Sequence, residues 1–185
     1  MNNSTSINAL TETDFPGLLI IAGKRFGRGY LTRRELQSYG VNSNKIGFVA
    51  KTNDAITGFS LVQICGLDEM MSLVLCEHEW FKEQFSNKYP VGVIKTVSVS
   101  DEFKNCGIGT ALTNKSIKTL EKASGCLMSI CWEQEDIPFA KILEKFGMTL
   151  RRRISEYWKE DSLKKKYQCK HCGSPPCRCN VLVYQ

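Results

Sequence analysis

The chain has 185 residues, of which 42% are hydrophobic, 10% aromatic and 24% charged. That balance is expected of a soluble globular protein of one domain, or one domain with a small appendage, which buries roughly 70% of its unfolded surface. The longest apolar run, Phe15 to Gly23, has nine residues and contains Pro16 and Gly17. Crossing a bilayer takes about twenty apolar residues, so no membrane span is expected. The start, Met1-Asn2-Asn3-Ser4-Thr5, has neither a basic flank nor an apolar segment. No secretory leader is therefore expected, and the expected setting is cytoplasmic.

The net charge of +6 is unevenly placed. Residues 1–150 carry 16 basic and 16 acidic side chains, whereas residues 151–185 carry nine basic and three acidic ones. A neutral body with a basic tail suits either a phosphate or acidic partner, or solvated loops around a small motif.

In chain order, residues 5–11 read as a short strand, followed by a turn at Asp14-Phe15-Pro16. Leu18, Leu19, Ile21, Ala22 and Phe26 then fit one helix, which Gly27 and Gly29 end. Thr32 with Glu35 three residues later is a capping box that opens a helix to about Tyr39. Ile46 to Ala50 and Ile56 to Cys65 form a strand pair across Thr52-Asn53-Asp54. Residues 67–90 suggest a helix around Glu77 to Phe85, stopped by Pro90. Val91, Val93, Val97 and Val99 alternate along a strand, interrupted only by Lys95. Ile108, Ala111, Leu112, Thr119, Leu120 and Ala123 then share a helix face ended by Gly125. Leu127 to Trp132 is a second buried strand, and a helix from about Pro138 to Phe146 closes at Gly147. Residues 149–158 and 180–184 read as the last two strands. The pattern predicts an α/β (α+β) protein with a mixed sheet, and a cysteine-rich loop between its last two strands.

The strand from Val97 runs into Lys104-Asn105-Cys106-Gly107-Ile108-Gly109-Thr110, where a helix begins. Glycines at this spacing bring backbone close to a ligand, and free N–H groups at a helix start bind phosphate oxygens. A lone G-x-G also serves many plain strand-to-helix turns. Neither G-x-x-x-x-G-K-[ST] nor G-x-G-x-x-G is present, so this is not a P-loop, and the absence argues against nucleotide hydrolysis and a dinucleotide fold.

The segment resembles motif A of the GCN5-related N-acetyltransferases (GNAT superfamily), [RQ]-x-x-G-x-[GA] after a strand. Downstream, Phe139-Ala140-Lys141-Ile142-Leu143-Glu144-Lys145-Phe146-Gly147-Met148 is similar to the family's A-x-x-L-Y-E-K-x-G-F helix ending. The resemblance covers roughly residues 5–160. It implies a mostly antiparallel central sheet flanked by helices, with residues 1–161 as the acetyltransferase domain. Residues 162–180 would be an insertion, and 181–185 the final strand of the same domain.

It further implies an N-acetyltransferase that moves an acetyl group from acetyl-CoA to an amine by direct attack, acting as a monomer or homodimer. Val97 and Val99 would pair with the pantetheine arm and polarise the thioester carbonyl. Lys104, Asn105, Cys106, Gly107, Ile108, Gly109 and Thr110 would hold the pyrophosphate. Two departures from the pattern stand out. Lys104 replaces the usual Arg or Gln, and Leu143 stands where the family often has the tyrosine that protonates the leaving thiolate. Glu133 is the best-placed carboxylate for a base, or else a solvated loop residue; Glu77, His78 and Glu79 are a second source.

Nine cysteines without a secretory signal argue for a reducing compartment and against a disulfide framework. Cys65, Cys76, Cys106, Cys126 and Cys131 are scattered, but Cys169, Cys172, Cys177 and Cys179 fall within eleven residues. Four thiolates at this spacing, with the C-x-x-C-G turn at Cys172-Gly173 and with Pro175-Pro176, suit one structural Zn2+ ion. His171 is an alternative ligand, and a reduced-thiol cluster or inert packing are alternative readings. Two other functions stay open on sequence alone. One is an acyl-CoA-binding sensor or scaffold without turnover. The other is a zinc-braced nucleic-acid-binding protein, against which the alternation of Arg151-Arg152-Arg153 between strand faces argues.

Overall fold

The computed structural model describes residues 4–41, 44–133 and 138–185. Met1 to Asn3, on which part of the leader expectation rests, lie outside them. Seven strands form one sheet in the order β1-β2-β3-β4-β5-β7-β6. They are β1 (Thr5–Ala9), β2 (Lys45–Thr52), β3 (Ala55–Cys65), β4 (Val91–Val99), β5 (Cys126–Trp132), β6 (Leu150–Ile154) and β7 (Val181–Tyr184). Every neighbouring pair is antiparallel except β4 and β5, which run parallel. This is the mixed sheet that the strand pattern predicts and the mostly antiparallel one that the GNAT resemblance implies.

The β2–β3 hairpin turns on two residues, Asn53 (φ 50°) and Asp54 (φ 63°). Positive φ at both central positions matches the right-handed twist of the flanking strands, and Asn and Asp tolerate it best. β3 is buried along almost its whole length, because helices cover both sheet faces. On one face, α5 (Ile108–Leu120) and α6 (Pro138–Lys145) pack Leu112, Leu120 and Leu143 against Ala50, Val62 and Ile94. On the other face, α1 (Phe15–Phe26) and α2 (Arg33–Val41) bring Phe15, Leu18 and Leu36 onto Val49, Phe59 and Leu61. Each fully buried Leu or Phe contributes about 1.5–3 kcal/mol to the fold.

The capping box at α2 forms as expected. Thr32 N–H donates to Glu35 Oε2 at 2.8 Å, and Glu35 N–H donates to Thr32 Oγ1 at 3.2 Å.

Two regions differ from the sequence expectations. Residues 67–90 hold two short helices, α3 (Leu67–Leu73) and α4 (His78–Gln84), separated at Glu77, whose φ is 54°. Met70, Val74, Phe81 and Phe85 from this region pack on Val91, Val93 and Met128. The last strand pair is shorter than the pattern suggested: β6 stops at Ile154, and α7 (Lys159–Lys165) follows a turn at Glu156 (φ 50°). Glu160 and Asp161 in its first turn and Lys164 and Lys165 in its last complement the helix dipole. Among the described residues, no helix is long and apolar enough to cross a membrane.

Candidate active site

The parallel ladder between β4 and β5 runs only from Val91–Ile94 to Cys126–Ser129. Both strands continue, β4 to Val99 and β5 to Trp132, but they part. A register shift causes the divergence on the β4 side: Leu61 pairs with Thr96 and Val62 with Ile94, so Lys95 is an extra residue. Such a bulge bends its strand and leaves one residue outside the ladder. On the other side, β5 is held by β7 from Ser129 to Trp132. The two strands therefore diverge like a wedge, and a cleft of about 580 Å³ fills it.

The cleft has two unlike ends. From the α5 side it is lined by Val97, Val99, Lys104, Asn105, Gly107, Ile108, Gly109 and Thr110. From the other sheet face come Phe26 at the end of α1, Tyr30 beyond it, Trp158 before α7, and Tyr167, Cys169, Cys177 and Cys179. Of the expected cofactor residues, Cys106 alone is not on the cleft wall. It is exposed, with its thiol donating to Lys104 O at 3.5 Å.

Local geometry shapes the α5 end of the cleft. Asn105 (φ 61°) and Gly107 (φ 77°) turn the chain into α5. The first helical bond runs from Ala111 N–H to Gly107 O at 3.0 Å, so the N–H groups of Ile108, Gly109 and Thr110 precede it and remain for a ligand. A Cβ on Gly109 would already lie 3.4 Å from Ile142 Cδ1. Lys104 forms an exposed ion pair with Asp101 at the rim.

One buried hydroxyl on the cleft, Ser98 Oγ, makes no hydrogen bond among the described residues, whereas the Tyr167 hydroxyl, also on the cleft, has the Asp161 carboxylate beside it. Buried polar atoms are almost always satisfied, so a ligand is the natural partner for Ser98 Oγ. Burial, with the Asp161 carboxylate nearby, pushes the Tyr167 phenol up, so it keeps its proton.

Sequence reasoning did not single out Lys95 as a site residue, although it noted its break in the valine alternation. It lines the cleft where the strands part, and burial pushes its ammonium below the ordinary lysine range, with Glu35 opposing and Lys165 adding to the shift.

Glu133 sits just beyond β5 but does not line the cleft. Arg153 Nε donates to its Oε1 at 2.8 Å and Oε2 at 3.0 Å, and Asn180 Nδ2 donates to Oε2 at 2.9 Å. The Arg153 bond, opposed by partial burial and aided by Asn180, holds this carboxyl below the ordinary range. Leu143 is fully buried in the core under α5 and offers no hydroxyl. Glu77 is paired with Arg152 and Glu79 with Lys82, both away from the cleft lining.

The four clustered cysteines are brought together. Their sulfur atoms all lie within 4.8 Å of one another, with Cys169–Cys179 at 3.6 Å, Cys172–Cys179 at 3.4 Å and Cys172–Cys177 at 4.0 Å. None is in a disulfide. Four sulfurs at about 2.3 Å from one tetrahedral ion lie about 3.8 Å apart, so the set fits a metal.

A sequence profile described as the Acetyltransferase (GNAT) family matches residues 11–148. No match is found among curated proteins compared by sequence. Solved structures resemble the fold at low identity. NAA60 of Arabidopsis thaliana, in complex with a bisubstrate analogue, superposes with a TM-score of 0.71 at 14% identity, over 98% of this chain and 97% of that one. The same enzyme in complex with acetyl-CoA gives 0.69 at 14% identity, over the same shares. The ribosomal-protein-alanine N-acetyltransferase of Brucella melitensis gives 0.63 at 14% identity, over 97% of each chain. With well over half of its length under the family profile and the family's fold throughout, this chain belongs to the GNAT acetyltransferases.

Proposed function

We propose that the protein is an acetyl-CoA-dependent N-acetyltransferase that passes the acetyl group directly to an amine. The observation that carries this reading is the wedge between β4 and β5, with a phosphate-type cradle at one end and an aromatic chamber at the other. The α5 N-terminus, from Gly107 through Thr110, takes the pyrophosphate, and Lys104 adds a cation at the rim. Main-chain groups of Val97 and Val99, beyond the end of the ladder, pair with the pantetheine arm and polarise the thioester carbonyl. The amine enters past Tyr30, Trp158 and Tyr167. As the structure of NAA60 is reported with acetyl-CoA, the same cosubstrate is the one assigned to this cleft.

The chemistry then needs positioning and two proton movements. The neutral amine nitrogen forms the C–N bond and the C–S bond breaks; the nitrogen loses a proton and the CoA thiolate gains one. Lys95, with an ammonium made more acidic by burial, is the group we assign to protonate the thiolate in place of the missing tyrosine. Glu133, engaged by Arg153 and Asn180, serves to position the end of β5, and solvent takes the amine proton. Cys169, Cys172, Cys177 and Cys179 would hold a structural Zn2+ ion that braces the loop, since a closed set of four ligands would leave no open position for a substrate.

The test is mass-spectrometric detection of acetylated product from a library of primary amines and free-N-terminal peptides incubated with acetyl-CoA. Transfer to at least one class, lost in Gly109→Val, supports the reading. Binding of acetyl-CoA with no transfer to any amine overturns it in favour of a sensor.

A further inference from the structure

The cysteine cluster is not a remote appendage. Cys169, Cys177 and Cys179 lie on the wall of the cleft, whereas Cys172 does not. The cluster packs against Trp132 and Trp158, which also line the cleft. Three further links tie this loop to the acceptor end. Lys170 N–H donates to Phe26 O at 3.3 Å. His171 meets the Trp132 ring edge-on at 6.5 Å between centroids, and Phe26 lies 6.3 Å from the same ring. Tyr167 packs edge-on against Tyr30 at 5.9 Å. The approach is so close that a Cβ on Gly27 would sit 1.8 Å from Gln168 O.

The loop itself is shaped to present sulfur inward. Cys169 and Gly173 exchange two main-chain hydrogen bonds, at 2.9 and 2.8 Å, with Gly173 at φ 77°. This closes the C-x-x-C-G turn around both thiols. Arg178 N–H donates to Cys172 Sγ at 3.3 Å, a contact that favours an anionic sulfur. Cys177 N–H donates to Ser162 Oγ at 2.8 Å, which anchors the second half of the loop to α7. Four thiolates around one divalent ion leave a local charge of −2, and Lys170 and Arg178 stand within the same loop to balance it. Residues 166–180 form no helix or strand, only the single bridge between Cys169 and Gly173; beyond the loop's own turn they are tied down chiefly at the two ends, by Lys166 N–H to Ser162 O at 2.8 Å, Tyr157 N–H to Cys179 O at 3.1 Å and Glu133 N–H to Asn180 O at 3.1 Å.

We propose that a zinc ion held by Cys169, Cys172, Cys177 and Cys179 forms the backing of the acceptor wall, so that metal occupancy sets the order of the amine chamber and leaves the acetyl-CoA cradle untouched. This assignment builds on the cleft being an acetyl-transfer site, but its readouts do not require an acceptor to be known. The metal replaces the secondary structure that the loop lacks: its ligand bonds hold Cys169, Cys177 and Cys179 in place, and through them Tyr167, Trp158 and Phe26. The cradle rests on α5 and β4 instead, and these belong to the core.

The full-length chain purified with zinc is expected to carry one equivalent of metal per chain. Substitution by Co2+ should give the thiolate-to-metal absorption of a tetrahedral four-sulfur site. Two perturbations remove the ion: Cys172→Ser, which takes away the one ligand off the cleft wall, and a chelator, reversed by added zinc. In both, amide exchange at residues 26–30 and 167–180 should rise by about tenfold or more, while residues 108–113 change by less than about twofold. The acetyl-CoA-induced rise in melting temperature should persist. A reduced chain that binds no metal overturns the proposal, as does iron in place of zinc or a metal-loaded and a stripped chain with the same exchange at residues 26–30. Loss of the acetyl-CoA response in the wild-type holoprotein would instead count against the acetyl-transfer reading alone.

Discussion

Replacing Glu133 by Gln separates a base from a strut. A general base contributes about 10²- to 10⁴-fold to rate, so removing one collapses kcat/KM by that factor. The geometry around Glu133 sets a smaller scale. Its side chain is 26% exposed and that of Arg153 is 53% exposed, in water's reach. An ion pair of that exposure shifts an equilibrium by less than about tenfold. Gln keeps an oxygen for Arg153 or Asn180, so the β5–β7–β6 corner stays closed. The expected result for Glu133→Gln is therefore a fall in kcat/KM of less than about tenfold, with the acid limb of the pH–rate profile unmoved.

The stability effect has a definite sign. The folded pKa of Glu133 is depressed, chiefly by the Arg153 bond. Its contribution is then present above the ordinary glutamate range and is lost as pH falls through the lower folded value. The wild type should exceed the variant in melting temperature between pH 5 and 8 by a small, constant margin, which closes only in acid. Steady-state kinetics across pH, with thermal unfolding in parallel, read both. A loss beyond about 100-fold in kcat at unchanged acetyl-CoA binding, with the acid limb gone, would make Glu133 the base and refute the argument.

Three other substitutions test separate parts of the account. Lys95→Met should lower kcat by about tenfold to a hundredfold and abolish the fall in rate as pH rises through the lysine's pKa, with the acetyl-CoA thermal response intact; an unchanged basic limb would remove Lys95 from the chemistry. Gly109→Val fills the cradle beside Ile142 and Val99, and should erase the acetyl-CoA response while the fold melts cooperatively; a retained response would place the pyrophosphate elsewhere. Asp14→Asn tests the anchor of α1, where the buried carboxylate accepts from Lys51 at 2.7 Å and from Thr11 N–H at 2.9 Å. Burial raises the Asp14 pKa, but the Lys51 and Thr11 bonds together lower it further, so its contribution exists above the ordinary aspartate range and vanishes as pH falls through the depressed value. At pH 7 the loss should be about 2 kcal/mol, seen as a melting temperature lower by roughly 4–8 °C and absent at low pH.

Much of the fold could be read from local patterns. The alternation in β4, the glycine turn and the C-terminal stop at Gly147 (φ 80°) each follow from one segment's own chemistry. The wedge could not. It needs a bulge at Lys95, defined only once β3 is paired, and the pull of β7 on β5 from fifty residues downstream. The helix at Lys159–Lys165 escaped because its apolar face is short; Leu163 is exposed, and Ser162 faces the cysteine loop instead. Clustering of the four cysteines was visible from spacing, whereas the place of Cys169, Cys177 and Cys179 on the cleft wall depended on how α1 ends at Gly27 against Gln168.

The central claim is that the wedge between β4 and β5 holds acetyl-CoA. Thermal unfolding with acetyl-CoA, free CoA and ATP as parallel ligands tests it most directly. A ligand at about a hundred times its Kd adds about 2.7 kcal/mol. For a chain of this length that raises Tm by roughly 5–10 °C. The account predicts that rise with acetyl-CoA and CoA, its absence with ATP, and its loss in Gly109→Val. No shift at millimolar acetyl-CoA, or an equal shift with ATP, would contradict it.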